Sequence, residues 1–194
     1  MAHEDGEIYW YDPDPRAILP LDQFHVPRSL RRVVQSGRFE VRVDTAFTEV
    51  MRACALPAPG RETTWISEEF IRVYTQLHKA RLAHSVETWL NGELVGGLYG
   101  VSLGGLFAGE SMFHQTRDAS KVALVHLVER LQQGGYTLLD VQFMTPHLHR
   151  FGAIEIPRRL YKKQLAQALQ AGASWQKKMS QTPASDFRRN APSK

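Results

Sequence analysis

Asp140 and Gln142 stand two residues apart in the apolar run 136–143, and on a strand that spacing puts both side chains on one face. Tyr136 and Leu138 share their face, while Thr137, Leu139, Val141 and Phe143 take the other and can pack against helices. Such a pair could hold a hydrogen-bonded relay, with the Asp as its ionised member and the Gln carbonyl as an acceptor. It could equally close a strand end by bonding to its own loop. Glu110 sits between Gly109 and Ser111, with Phe107, Met112 and Phe113 nearby. A carboxylate in that company needs a partner, because burying it unpaired is costly. A substrate ammonium, a ribose hydroxyl or an internal Arg would serve. Trp65, ahead of a helix, could be a stacking platform for a base, worth roughly 1–3 kcal/mol, or a buried anchor. Leu98, Phe107, Met112 and Leu127 could wall a side-chain pocket or simply fill the core.

Other chemistries find little support. His84, His114, His147 and His149 show no metal-ligand spacing and Cys54 is the lone cysteine, so no metal is expected. There is no Walker phosphate loop and no dinucleotide fingerprint, so no cofactor is expected either. Phe47, Val50 and Met51 beside Cys54 indicate a buried structural thiol. One cysteine excludes an internal disulfide and suits a reducing compartment. No apolar run approaches the ~20 residues of a membrane span, and the acidic, proline-containing start is unlike a signal peptide. A cytoplasmic location is the expectation.

Charge is arranged in blocks. Residues 1–27 carry six acids against Arg16 alone, whereas residues 28–42 carry Arg28, Arg31, Arg32, Arg38 and Arg42 against Glu40. From Pro157 onward nine bases, beginning with Arg158 and Arg159, face only Asp186. Cationic segments like these can neutralise phosphates, or they can be solvated faces and a tail.

These residues need a scaffold. Prolines at 13, 15, 20 and 27 predict an extended arm over residues 1–37. Alternation from Phe39 to Val43 predicts a strand, followed by a helix through Cys54 capped by Asp44 or Thr45. A loop is expected at 57–61, then a helix capped by Ser67 and bearing Phe70, Ile71, Tyr74 and Leu77. Asn91-Gly92 between two extended runs predicts a two-residue hairpin. The glycines from Gly96 to Gly109 imply bulges or close backbone approach. Leu124, Leu127, Val128 and Leu131 mark a helix over 118–133, capped by Asp118 or Ser120 and stopped by Gly134-Gly135. A strand follows at 136–143, and a last helix starts at Pro157 with Leu160, Tyr161, Leu165 and Leu169 available for packing. Hairpin-paired strands and a helix feeding a further strand indicate a mixed α/β sheet. The expected division is an arm (1–37), a catalytic domain (38–172) and a polar tail (173–194), in which Trp175 alone is suited to burial.

Several blocks together resemble the leucyl/phenylalanyl-tRNA–protein transferases. They include Trp10-Tyr11-Asp12-Pro13-Asp14-Pro15-Arg16, Thr64-Trp65-Ile66 and Gly109-Glu110-Ser111-Met112-Phe113. Asp140-Val141-Gln142 and Glu155-Ile156-Pro157-Arg158-Arg159 belong to the same set, all in order between about residues 9 and 161. The resemblance implies an α/β fold with a mixed, mostly antiparallel sheet flanked by helices, like that of GCN5-related acetyltransferases. It implies transfer of Leu, Phe or Met from aminoacyl-tRNA to proteins with N-terminal Arg or Lys, marking them for degradation. Asp140 and Gln142 would be catalytic, with Asp140 polarising the Gln142 amide. Trp65, Glu110 and Ser111 would hold the aminoacyl-adenosine end, and Leu98, Phe107, Met112 and Leu127 would form the pocket. Arg28, Arg31, Arg32, Arg158 and Arg159 would contact the tRNA backbone. The sequence departs from the family pattern in starting after a Phe-Pro-Trp-Phe stretch, so a second adenosine-facing Trp is expected to be missing unless Trp10 replaces it. His149-Arg150-Phe151 and Leu127 are further departures.

Two other enzymes fit less well. A CoA-dependent acetyltransferase needs a pyrophosphate loop that Gln132-Gln133-Gly134-Gly135-Tyr136-Thr137 fails to complete at its last position. A transferase for acidic N-termini would carry a cysteine-rich motif. The remaining alternative is an RNA-binding protein on the same fold without transferase activity.

Overall fold

Asn91 and Gly92 adopt φ of +53° and +83°, and the tight turn they make pairs Leu90 with Glu93. That hairpin joins two of the longest strands of the computed structural model, which describes residues 11–57 and 64–175. The strands are β1 (Arg16–Ile18), β2 (Glu40–Val43), β3 (Ala83–Leu90), β4 (Glu93–Leu103), β5 (Leu106–His114), β6 (Leu138–Gln142) and β7 (Ile154–Ile156). Among the described residues they form one sheet in the order β2-β3-β4-β5-β6-β1-β7. Only the β5–β6 pairing is parallel. This is the mixed, mostly antiparallel sheet that was expected, with helices on both faces.

The helices are α1 (Arg28–Gln35), α2 (Phe47–Ala55), α3 (Glu68–Lys79), α4 (Ala119–Gly134), α5 (Pro146–His149) and α6 (Arg158–Leu169). One face of the sheet carries α1 and α4, whose Leu30, Leu124, Leu127 and Leu131 pack with Val86, Leu98, Phe107 and Leu139. On the other face, α2 and α3 bury Phe47, Met51, Cys54 and Ile71 against Tyr99 and Phe113. Beside them α6 packs Tyr161 and Ala168 on Ile18, Leu106 and Leu138.

Several local expectations hold. The Ser67 side chain caps α3 by accepting the Phe70 N–H, and Gly135 ends α4 at φ +79°, with the Tyr136 N–H returning to the Leu131 carbonyl. Others need correction. Asp118 does not cap α4 with its side chain; it pairs with Lys121 at 2.6 Å. Neither Asp44 nor Thr45 caps α2. The chain entering the helix is instead held from β3: the fully buried Glu87 accepts the Thr45 and Ala46 N–H groups, just ahead of α2, at 3.2 and 3.4 Å. Tyr136 precedes its strand and packs with the α4 cluster, away from Asp140.

The stretch expected as an extended arm is not extended throughout: Arg28–Gln35 form α1, and Arg16–Ile18 join the sheet. Ala17, Ile18 and Leu19 are buried, and β1 lies between β6 and β7. Its prolines flank regular elements instead of interrupting them, with Pro27 immediately before α1. At the other end, Trp175 is buried, stacked on His84 at 4.3 Å and on Phe107 at 5.5 Å. The rest of the expected tail, Trp10 and most of the 57–61 loop lie outside the described residues. No helix among those described is long and apolar enough to cross a membrane.

Candidate active site

β5 and β6 run together only as far as the Ala108–Asp140 pair. Beyond it β5 continues to His114 alongside β4, while β6 ends at Gln142 beside β1. A gap therefore opens in the middle of the sheet, and the residues singled out for chemistry lie along its edges.

On the β5 edge, Tyr99 pairs with Ser111 and Gly100 with Gly109, which leaves Glu110 unpaired in a bulge. A bulge re-aims a side chain: Glu110 turns toward Tyr74 of α3, whose hydroxyl interacts with the carboxylate. The tight packing explains the glycine opposite, since a Cβ at Gly100 would collide with the Phe107 ring and the Ala108 carbonyl. Burial, helped by the nearby Asp140 charge, pushes Glu110 up to about 7, against the opposing pull of Tyr74 and Arg16. Burial and the Glu110 charge together raise the Tyr74 hydroxyl as well. Trp65 is half-buried and edge-on to Phe70 at 5.5 Å, and Phe70 in turn lies 6.3 Å from Tyr74. One row of aromatic rings thus connects Trp65 to Glu110.

On the β6 edge, Asp140 is 1% exposed and fully engaged. Arg16 donates to Oδ1 from Nε at 3.1 Å and to Oδ2 from Nη2 at 2.7 Å. Tyr161 donates its hydroxyl to Oδ2 at 2.7 Å, and the Gln142 N–H donates to Oδ1 at 2.9 Å. Burial works against the Arg16 charge, but its bonds to Asp140 outweigh that and hold its pKa above the ordinary value. The Tyr161 hydroxyl is raised by burial and by donation to Asp140. Asp140 meets Gln142 through the backbone, whereas the resemblance implied contact with the side-chain amide.

The other expected residues separate. Leu98, Phe107, Met112 and Leu127 do gather, but in the α1–α4 cluster on the face opposite Asp140 and Glu110. Of these, Met112 is half-buried and lies on β5 past the point where the strands part. Half-buried Val141 and Met144 pack on the same cluster from the β6 side. Arg28 and Arg32 are exposed on α1 and Arg31 is half-buried there, while Arg159 is exposed on α6, across the sheet. Arg158 is already committed: its backbone N–H donates to Asp14 at 3.0 Å and its Nη1 to the Asp12 carbonyl at 2.9 Å.

Arg16, Tyr74 and Tyr161 were not anticipated as site residues. Arg16 carried a signal, as the single Lys or Arg in an acidic stretch; the tyrosines read as packing positions. The histidine grouping was also unforeseen: Asp44, His78 and His84 place possible ligand atoms within 4.8 Å of one another. Those atoms are already satisfied, because His84 Nδ1 and Trp175 Nε1 each lie 2.8 Å from Asp44 Oδ2 and His78 Nδ1 donates to the Ala83 carbonyl. The grouping fits a hydrogen-bonded clasp better than a metal centre.

The profile of a family described as Leucyl/phenylalanyl-tRNA protein transferase matches residues 18–166. The chain is 64% identical over 173 residues to a leucyl/phenylalanyl-tRNA–protein transferase of Herpetosiphon aurantiacus, covering 89% of this chain and 88% of that one. This protein belongs to the leucyl/phenylalanyl-tRNA–protein transferase family. Members from Paramagnetospirillum magneticum (56% identity; 90% and 83% covered) and Caulobacter vibrioides (59%; 87% and 77%) agree. Among solved structures, L-PGS from Bacillus licheniformis superposes with a TM-score of 0.51 at 14% identity, covering 83% of this chain and 66% of that one. At that identity the likeness shows a shared fold alone. The family match spans Trp65, Glu110, Asp140, Gln142 and Tyr161; Arg16 stands two residues before its start.

Proposed function

We propose that this protein transfers leucine, phenylalanine or methionine from aminoacyl-tRNA to the α-amine of proteins beginning with Arg or Lys, in the cytoplasm, creating a degradation signal. The observation that carries the reading is the gap between β5 and β6, with Glu110 on one edge and Gln142 on the other. The amine nitrogen attacks the ester carbonyl; a C–N bond forms, the ester C–O bond breaks, and the amine proton passes to the departing ribose oxygen. Holding amine and ester in attacking geometry can contribute roughly 7–11 kcal/mol to such a step. The Gln142 side chain orients the amine, being too weak a base to keep its proton. Glu110 and Ser111 hold the aminoacyl-adenosine end, and the Trp65–Phe70–Tyr74 row offers the adenine a stacking surface. The amino-acid side chain enters the gap toward Met112, Val141 and Met144, with Leu98, Phe107 and Leu127 beneath them. Glu110, ionised in part near neutrality, also favours a cationic acceptor.

The test is incubation of purified protein with labelled leucyl-tRNA and peptides beginning with Arg, Lys, Asp or Ala. Label is expected on the Arg and Lys peptides alone. Label on the Asp peptide would overturn the acceptor rule. Salt-sensitive tRNA binding with no labelled peptide would replace the reading with RNA binding alone.

A further inference from the structure

Gln142 is held in a conformation that an L-residue adopts only at a cost. Its φ is +58°, and the Phe143 N–H closes back on the Val141 carbonyl at 2.7 Å. That is a three-residue turn of the rare, strained hand. Such backbone persists only where its surroundings over-determine it, and it gathers at functional sites. Here the restraint is a chain of side chains. Asp140 Oδ1 accepts the Gln142 N–H, Arg16 grips both Asp140 oxygens, and the Tyr161 hydroxyl donates to Oδ2. The Arg16 guanidinium lies over the Tyr161 ring, 4.5 Å from its centroid. Each of the three side chains therefore touches the other two.

We propose that Arg16 and Tyr161 are positioning residues for the transfer reaction: they lock Asp140, and Asp140 locks the Gln142 turn at the mouth of the β5–β6 gap. This rests on the transferase reading above and gives Asp140 a task other than polarising the Gln142 amide. Each Asp140 oxygen already takes two donors, Arg16 Nε and the Gln142 N–H on Oδ1, Arg16 Nη2 and the Tyr161 hydroxyl on Oδ2. A guanidinium fork matched to a carboxylate fixes direction as well as charge. The fork comes from β1 and the hydroxyl from α6, so two separate elements set the pose of one glutamine.

Tyr161→Phe keeps the ring and removes the hydroxyl; Arg16→Lys keeps the charge and removes the fork. In leucyl transfer to a peptide beginning with Arg, each is expected to lower kcat about tenfold with KM for leucyl-tRNA changed less than about twofold. In an Asp140→Asn background, Tyr161→Phe should cost nothing further. Hydrogen exchange at the Gln142 amide, which needs no turnover, should speed up in both single variants. Melting curves report the folded fraction, and should Arg16→Lys fail to fold, the milder Tyr161→Phe carries the test. Unchanged kcat per folded molecule in Tyr161→Phe, losses additive with Asp140→Asn, or unchanged Gln142 exchange would each overturn the proposal. A wild type that labels no peptide would overturn the transferase reading instead, and the exchange measurement would then decide the clamp by itself.

Discussion

Glu110 and Asp140 are two acids on one face of the sheet with opposite treatment. Asp140 is given a guanidinium, a hydroxyl and a backbone N–H; Glu110 is given one tyrosine hydroxyl and little water, and burial pushes it up to about 7. The consequence for stability has a definite sign. The folded value lies above the unfolded 4.5, so the native state holds its proton longer and stability falls as pH rises from about 4.5 to about 7. Glu110→Gln removes that loss. It should stabilise the protein by about 3 kcal/mol at about pH 8 and leave it unchanged at about pH 4, as read from urea unfolding. Equal effects at both pH values would show that the carboxylate is not titrating in this window. The need of Glu110 for a partner was legible in its apolar neighbours. That the partner is Tyr74 was not, because nothing local links residue 74 to residue 110.

At the scale of elements, the reliable signals were those whose physics is short-range. The Asn91-Gly92 hairpin, the Ser67 cap and the Gly135 stop each depend on a few consecutive residues, and each formed as expected. The entry to α2 shows the limit. The two N–H groups just ahead of it, of Thr45 and Ala46, are met by Glu87 from β3, a carboxylate that also accepts the Ser85 hydroxyl at 2.5 Å and the Thr45 hydroxyl at 2.7 Å. Glu87→Ala strips four donors of their acceptor, those of Ala46 and Ser85 being buried. It should cost about 2–4 kcal/mol, from the donors left unsatisfied. A denaturation midpoint within experimental scatter of wild type would mean that water replaces the carboxylate. The bulge at Glu110 is a similar case: the glycines signalled an irregular strand, but which residue stands unpaired follows from the β4 register.

For the molecule as a whole, the sheet decides which charges can act together. Arg28, Arg31 and Arg32 ride on α1, on the face shared with α4, whereas Arg158 and Arg159 ride on α6 across the sheet. Arg158 is also tied to Asp12 and Asp14. Replacing Arg28 and Arg32 by Glu should weaken leucyl-tRNA binding and flatten its salt dependence by about 0.9 in log–log slope for each duplex phosphate left without its cation. Turnover at saturating tRNA should not change, and Arg158→Ala should alter the slope less. A larger change from Arg158 would place the RNA on the α6 side. The sequence by itself determined the hydrophobic periods, the turns, the lone Arg in an acidic stretch and the Asp140–Gln142 spacing, because those depend on residues within a few positions of one another. Tertiary structure alone decided that β1 enters the sheet next to β6, bringing Arg16 onto Asp140 across 124 positions. It also decided the parting of β5 from β6 and the left-handed turn at Gln142. Strand order and register are settled by the packing of the whole sheet, and no pattern of near neighbours encodes them.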